Sequence, residues 1–255
     1  YQRRVRGMTD KIHVFENVPT NHAMVERIDE LAKHIPELIN SWHYFDKTTY
    51  RKHVTAQKFY QEGNKFHGIY GEIMINASLA DVLCAFIGYG QVTNASPLQV
   101  QKSTICQKFY FVTPEDQARH DRLVNKTGPY ESFYFATHNV TRSPVPLVVS
   151  HRDAVVFSVM QFVSQKKSYL YSIPIEHPEM GQGVVRADLW TQLVELEEIA
   201  PNQVKINQYV LCDPKGQVPA MLFNLCLDER NNVLLLLKGF CEGEIVPEYK
   251  AENNK

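Results

Sequence analysis

The chain has 255 residues, of which 44% are hydrophobic and 22% are charged, and its formal net charge at pH 7 is −1. This near-neutral charge lacks the strongly basic balance typical of nucleic-acid-binding domains, so no nucleic acid is expected as a partner. The hydrophobic content is sufficient for a substantial core, and the length fits one large domain. No apolar run reaches the roughly 18 residues that a membrane-spanning helix needs.

Hydrophobic periodicity predicts a helix, two strands, a short helix, a run of strands and a final helix, in that order. Polar stretches rich in Gly, Pro and Asn predict loops over residues 89–103 and 113–130. This order indicates an α+β fold, in which one curved antiparallel sheet carries the helices. The predicted helices span residues 20–40, 78–88 and 217–240, and the predicted strands span residues 53–61, 65–75, 104–112, 130–140, 154–163, 168–175, 184–196 and 203–212.

The cysteines and the first residue set the expected context. The five Cys residues show no metal-ligand spacing and are interpreted as reduced thiols in a reducing compartment, so no metal or cofactor is expected. The sequence begins with Tyr1, so we expect it to be part of a longer chain. Other domains of that chain are then expected as partners of this domain. Residues 1–10 are interpreted as a linker, residues 11–245 as a single domain and residues 246–255 as a frayed tail.

Three patterns suggest catalytic or metal chemistry, but the sequence context argues against each. The triplet His151-Arg152-Asp153 matches a kinase motif, yet no glycine-rich loop precedes it and no Asp-Phe-Gly follows it. We interpret it as the start of a strand, with Arg152 and Asp153 held in local hydrogen bonds. The ten His residues include no HExxH pattern, and the sequence has no Gly-x-Ser-x-Gly. We therefore predict that the chain is not an enzyme.

Four motifs follow one another in the second half of the sequence. The first is a Pro-containing stretch that leads into Arg-Asp, and the second is a strand that ends in a Pro-containing turn. The third is a Val-Arg-Ala strand, and the fourth is an Asp-Pro-x-Gly turn before a helix. They are VPLVVSHRDAVVF (145–157), SYLYSIPIEHP (168–178), GVVRAD (183–188) and VLCDPKGQVPAMLFN (210–224). Together they resemble the START family of lipid-transfer domains over about residues 145–240. The first half of the chain matches that family in element order only.

This resemblance implies a helix-grip fold, in which a curved antiparallel sheet wraps around a long C-terminal helix, with an N-terminal helix and an internal lipid cavity. It implies a ligand that is a phospholipid, a sterol or a sphingolipid, and a cytoplasmic protein that transfers this lipid during transient contact with membranes. Two alternatives remain open. One is a lipid-sensing regulatory module of a larger protein, and the other is an enzyme of the wider helix-grip superfamily.

Strand alternation and matching to the family select the candidate site residues. One parity of the strand over 203–212 places Gln208 towards the cavity, and similar matching turns Ser172 inwards. Arg186 either binds a headgroup, pairs with a buried carboxylate, or braces the outer face of the sheet. The candidate lipid-binding residues are Arg186, Gln208, Ser172, Phe157, Phe135, Val210, Met221 and Phe223.

An apolar loop over residues 142–150 is expected to face the helix that starts at Pro219 and to act as a gate, because exposed apolar loops mark membrane or partner contacts. Family members that carry sterols place a buried acid–Arg pair in the cavity. The matching positions here, Asn139 and Ser158, are uncharged, which argues against that type of cavity. The candidate gate residues are Val145, Leu147, Val148, Val149 and Pro219.

Overall fold

The structure is a computed structural model that describes residues 21–87, 104–141, 151–175 and 184–244. The predicted linker, frayed tail and 89–103 loop lie outside these residues. The helices are α1 Asn21–Lys33, α2 Ile35–Asn40, α3 Leu79–Ile87, α4 Pro114–Val124, α5 Ala220–Leu225 and α6 Asn232–Cys241, with a 3₁₀ helix at Leu227–Asn231. The strands are β1 His43–Tyr50, β2 Val54–Tyr60, β3 Gly68–Ile75, β4 Thr104–Phe111, β5 Phe133–Thr141, β6 His151–Ser164, β7 Lys167–Pro174, β8 Val184–Arg186, β9 Asp188–Ala200 and β10 Gln203–Asp213.

The ten strands form one sheet in the order β1-β2-β3-β10-β9-β7-β6-β5-β4, and β8 pairs with β6. The β6–β8 pairing is parallel, and the other described pairings are antiparallel. Register shifts, such as the one between Leu211 and Cys212, bend the strands locally, and the sheet curls into a half-barrel. The predicted helix-grip α+β fold class is confirmed.

The concave face of the sheet is covered by α3, by α4 and by the C-terminal helical segment, which we define as residues 220–241. Within this segment, Leu234, Leu236 and Leu237 of α6 are buried against strand residues such as Ile73 and Ile206. Each fully buried Leu contributes about 1.5–3 kcal/mol. The apolar run at the end of the sequence therefore belongs to the main core.

The convex face is covered by the two N-terminal helices. Ile28 of α1 and Ile35 of α2 pack with Phe157, Tyr171 and Leu193 of the central strands. Because successive side chains of a strand point to opposite faces, the central strands present one apolar set to α1 and another to α6. Both faces are thus buried there, which explains the long apolar runs of the sequence.

Two elements of the structure, β1 and α4, were not predicted from the sequence. Strand β1 was not predicted, because it is a mostly exposed edge strand whose alternation is interrupted at Asp46, with a φ of 53°. Helix α4 lies in the predicted 113–130 loop. It starts with a capping box in which Thr113 Oγ1 accepts a hydrogen bond from the Asp116 backbone N and Asp116 Oδ2 accepts one from the Thr113 backbone N.

The predicted final helix over residues 217–240 is also different, since it is divided into α5, the 3₁₀ helix and α6. Asn residues, which favour helix ends over helix interiors, stand near the divisions. Asn224 Oδ1 accepts a hydrogen bond from the His67 backbone N at 2.9 Å, and Asn224 Nδ2 donates one to the Lys65 carbonyl at 3.1 Å. At the start of α6, Asn232 Oδ1 accepts a hydrogen bond from Tyr50 Oη at 2.8 Å. Helix α5 is therefore fastened to the β2–β3 connection, and the start of α6 is fastened separately to β1.

Gly71 of β3 sets how closely the C-terminal helical segment approaches the sheet. A Cβ atom at this position would lie 2.8 Å from Leu234 Cδ1 and closer still to Asn231 Oδ1. Real Cβ atoms essentially never make such contacts, so any other residue would push the segment away from the strand. Glycine is needed at this position for the closeness of packing.

Replacing Gly71 with Ala is expected to lower the free energy of unfolding by about 1–3 kcal/mol, because the added methyl group overpacks the contact. Urea denaturation measures this change. In an Asn231→Ala background the same substitution should cost less, since the nearest clashing atom is removed. An equal cost in both backgrounds would contradict the assignment.

Candidate functional site

The concave face arranges the candidate site residues in two neighbouring rows across the strands. In the first row, Gln208 of β10 pairs with Gly71 on one side and with Val194 on the other. In the second row, Ser172 of β7 pairs with Ser158 of β6, among others. Cross-strand partners lie on the same face, so both rows point towards the C-terminal helical segment. From the strand spacing, Gln208 and Ser172 are roughly 12 Å apart between Cα atoms.

Ser172 and Ser158 form the polar centre of the second row. Their hydroxyl oxygens are 2.8 Å apart, and each residue is only 2% exposed. Phe135 of β5 pairs with Ser158 and is also buried. Two hydroxyl groups thus satisfy each other within an apolar wall, and each retains capacity for a further hydrogen bond.

Gln208 and Asn231 each bury a polar atom that has no hydrogen-bond partner. Gln208 Oε1 and Asn231 Nδ2 are in this state, and the two residues are 6% and 2% exposed. Asn231 was not predicted as a site residue, because an Asn between charged residues and a Leu run carries no signal for burial. The position of Gln208 on the face of Ile206 agrees with the predicted strand parity.

Phe157 does not lie with these residues and is a correction to the predicted set. It packs in the convex cluster with Ile28 and Tyr171, while its neighbour Ser158 faces the concave side. The reason is the strict alternation of side chains along β6. The sequence-based selection of Phe157 ignored this alternation.

The predicted residues of the last turn and helix are divided between interior and surface. Val210 and Phe223 are half-buried against a cluster of Ala56, Ile69 and Leu227. Met221 is 71% exposed, so it does not contribute to the concave interior as predicted. Pro219 is exposed and is the N-cap residue of α5. The other predicted gate residues, at 145–149, lie outside the described residues.

An apolar surface, which we call the α5 patch, consists of Met221, Leu222 and Leu225. Their exposed fractions are 71%, 51% and 66%. Helix α5 contains no charged residue, and the other side of the helix is held by Phe223, whose ring meets that of Phe66 edge-on at 5.3 Å between centroids. None of the described helices is long and apolar enough to cross a membrane.

Arg152 connects β6 to the turn that precedes α5. Its Nε donates a hydrogen bond to the Pro214 carbonyl at 2.6 Å, and its Nη2 donates one to the Lys215 carbonyl at 3.1 Å. Partial burial lowers the pKa of its guanidinium. In this turn Lys215 and Gly216 both have positive φ values, 52° and 65°, and Asp213 Oδ1 accepts a hydrogen bond from the Lys215 backbone N at 2.8 Å. The turn is therefore fixed both locally and by a distant strand.

Asp153 and Arg186 form a bidentate ion pair next to this turn. Arg186 Nε and Nη2 donate hydrogen bonds to the two Asp153 oxygens, each at 2.9 Å, and the side chains of Arg186 and Asp153 are 18% and 1% exposed. Of the three roles considered for Arg186, the structure shows pairing with a buried carboxylate. The described side-chain hydrogen bonds of Arg152 and Asp153 join residues more than 30 positions away in the sequence.

The thiols of Cys84, Cys212 and Cys241 are poor nucleophiles, because burial raises their pKa and keeps them protonated. Burial raises the pKa of Cys84 to about 11 and that of Cys241 to about 12.

On the convex side, a depression of about 370 Å³ is lined by residues of β1, β2 and β3, including Lys47, Tyr70 and Glu72. Within the described ranges, no group of three or more His, Cys, Asp or Glu residues could hold a metal ion.

Replacing Asp153 with Asn is expected to lower the free energy of unfolding by about 3 kcal/mol, because it leaves the charge of Arg186 poorly compensated in a partly buried site. Urea denaturation followed by circular dichroism measures the loss. The matched control is Glu197→Gln, which removes one partner of the more exposed Lys167 and should cost less than about 1 kcal/mol. Similar small losses in both variants would show that the Asp153–Arg186 pair is not a structural anchor.

Comparison of the sequence with family models and with curated proteins gives no match. Comparison of the fold with solved structures finds human StAR-related lipid transfer protein 5, with a TM-score of 0.64 and 13% identity over 87% of this chain and 96% of that protein. It also finds human STARD10, with a TM-score of 0.62 and 12% identity over 89% of this chain and 81% of that one.

A STAR-related lipid transfer protein from the bacterium Xanthomonas axonopodis is similar as well, with a TM-score of 0.58 and 16% identity over 79% of this chain and 99% of that one. At these identities the likeness establishes the architecture. The curled antiparallel sheet closed by a C-terminal helical segment is therefore the START helix-grip fold.

Proposed function

We propose that the chain binds one lipid molecule on the concave face of its sheet, beneath the C-terminal helical segment, and transfers it between membranes. The observation that carries this proposal is the covered concave face of β5, β6, β7, β9 and β10, where the described buried side chains are apolar except for a few neutral ones. Two of the similar structures are named lipid transfer proteins, which is consistent with this use of the fold. The proposal involves no catalytic step, no cofactor and no metal.

The physical reason for such a site is the cost of exposing lipid tails to water. Each CH₂ group gains about 0.8 kcal/mol on transfer from water to an apolar environment. A face lined by side chains such as Phe135, Leu170, Met160 and Val194 provides that environment. Among the residues whose side chains the structure describes, the buried polar ones that the sheet contributes to this face are all uncharged: Thr137, Ser158, Ser168, Ser172 and Gln208. Such a wall suits acyl chains, with a small number of polar groups to orient the headgroup.

The α5 patch supports transient contact with a membrane surface during transfer. Three neighbouring apolar side chains are exposed on a helix that belongs to the cover of the concave face. With a formal net charge of −1 for the chain, insertion of apolar side chains would contribute more to docking than general charge attraction. The four described cysteines are free thiols, which is consistent with a cytoplasmic location.

The first test of the proposal is lipid extraction. The purified chain is incubated with vesicles made from a mixture of phosphatidylcholine, ceramide, cholesterol and dioleoylglycerol, reisolated, and analysed by native mass spectrometry. We expect one lipid molecule per chain and transfer of a fluorescent analogue of that lipid between donor and acceptor vesicles. Absence of any bound lipid, together with absence of transfer, would refute the proposal.

The second test addresses the α5 patch. Met221→Asp combined with Leu225→Asp is expected to slow vesicle-to-vesicle transfer by about tenfold or more, because a charge must be desolvated at each inserted position, while thermal stability is retained. The control is Val163→Asp combined with Ile199→Asp, which changes two side chains with exposed fractions of 60% and 51% near the β6–β7 and β9–β10 turns. Equal slowing by both pairs would remove the patch from the mechanism.

A further inference from the structure

The unpartnered atoms of Gln208 and Asn231 are close together and complementary. Gln208 and Gly71 are direct cross-strand partners, so their side-chain positions are roughly 5 Å apart on the same face. Asn231 Oδ1 occupies the space where a Cβ of Gly71 would stand. Both amides therefore border one small region between β10, β3 and the start of α6. Ser168 Oγ, another unpartnered buried atom of the concave face, lies on β7, two strands away from Gln208.

The state of these two amides requires explanation, because a buried polar group without a hydrogen bond costs about 1–3 kcal/mol. Gln208 Oε1 is an acceptor and Asn231 Nδ2 is a donor, yet they do not bond to each other. A single group that both donates and accepts would satisfy the two atoms at once. A hydroxyl group has this property, since it offers one donor and two acceptor lone pairs.

Charged headgroups fit this region poorly. A phosphodiester only accepts hydrogen bonds, and a quaternary ammonium group has no N–H. Neither group can therefore donate a hydrogen bond to Gln208 Oε1. A buried phosphate also needs a cation, but among the described residues the buried charged side chains are the acidic Asp116 and Asp153, and His120 is the buried side chain that could become a cation. Asp116 caps α4, and Asp153 is paired with Arg186.

We infer that Gln208 and Asn231 together recognise the hydroxyl group of an uncharged lipid, with the hydroxyl donating to Gln208 Oε1 and accepting from Asn231 Nδ2. This inference rests on the proposed lipid-binding function and specifies the polar end of the ligand. The ligand class is a neutral lipid that ends in a hydroxyl group, as opposed to one that ends in a phosphodiester. The tails extend from this point along the apolar wall towards Ser172 and Phe135.

The test uses three probes with identical acyl chains: 1,2-dioleoylglycerol, its 3-O-methyl ether and dioleoylphosphatidylcholine. Binding of each to the purified chain is titrated from vesicles and measured by native mass spectrometry. The methyl ether keeps the acceptor but loses the donor. We expect dioleoylglycerol to bind about 10- to 100-fold more tightly than its methyl ether, since the ether leaves Gln208 Oε1 unpaired.

The variants Gln208→Met and Asn231→Leu separate recognition from structure. Gln208→Met should reduce dioleoylglycerol affinity about tenfold and abolish the preference over the methyl ether. Asn231→Leu should weaken the binding of both probes by about tenfold and leave the preference in place, because both probes keep the acceptor oxygen. The melting temperature of each ligand-free variant should be equal to or above that of the parent, because an unsatisfied buried amide is replaced by an apolar group. Gln57→Met, on the opposite face of the sheet, is the matched control and should retain both the affinity and the preference.

The outcomes distinguish this inference from the proposed function. If phosphatidylcholine and the methyl ether bind as tightly as dioleoylglycerol, and the variants leave all three unchanged, hydroxyl recognition is wrong while lipid binding stands. A lower melting temperature in Gln208→Met and Asn231→Leu, with the affinities for the probes unchanged, would show that an ordered water fills the region, which also overturns the inference. If none of the three probes binds, both the inference and the proposed function fail.

Discussion

The close packing of the C-terminal helical segment against β3 is the contact on which the rest of the structure depends. It requires Gly71, because Leu234 and Asn231 take the space that any Cβ would need. This approach brings α6 deep into the concavity, where its Leu side chains join the main core. The segment is fixed at its far end as well, since Lys238 Nζ donates a hydrogen bond to the Met74 carbonyl at 3.0 Å. A curled sheet and a helix that enters it thus stabilise each other.

The same contact places polar atoms where they lack partners. Asn231 stands at the point of closest approach, and Gln208 faces it from the neighbouring strand. A protein interior tolerates few such atoms, because each costs free energy that packing must offset. Their position on the covered face, opposite α6, is the basis on which we propose that they recognise a ligand. The Ser158–Ser172 pair, which satisfies itself, imposes no such cost.

The corner formed by Arg152, Asp153, Arg186 and the 213–216 turn joins segments that are distant in sequence. Arg152 binds the turn that leads into α5, and Asp153 binds the strand β8 beside it. Three of the four motifs that resemble the START family meet there, so their common occurrence has a structural reason. The first motif supplies Arg152 and Asp153, and the other two motifs supply their partners. The corner fixes the start of the C-terminal helical segment, while the α5 patch beyond it stays exposed.

The sequence by itself determined the α+β class, most of the strands and the inward parity of Gln208, because side-chain alternation and apolar periodicity are local properties of the chain. It failed where burial depends on partners far away. Strand β1 lacks a buried face to reveal it, and the choice of Phe157 needed the face of β6. The final helix is divided by contacts of Asn224 with the β2–β3 connection and of Asn232 with β1. Only the tertiary structure decided that Asn231 meets Gln208 and that Arg186 pairs with Asp153, since these contacts exist only when strands from distant parts of the chain are brought side by side.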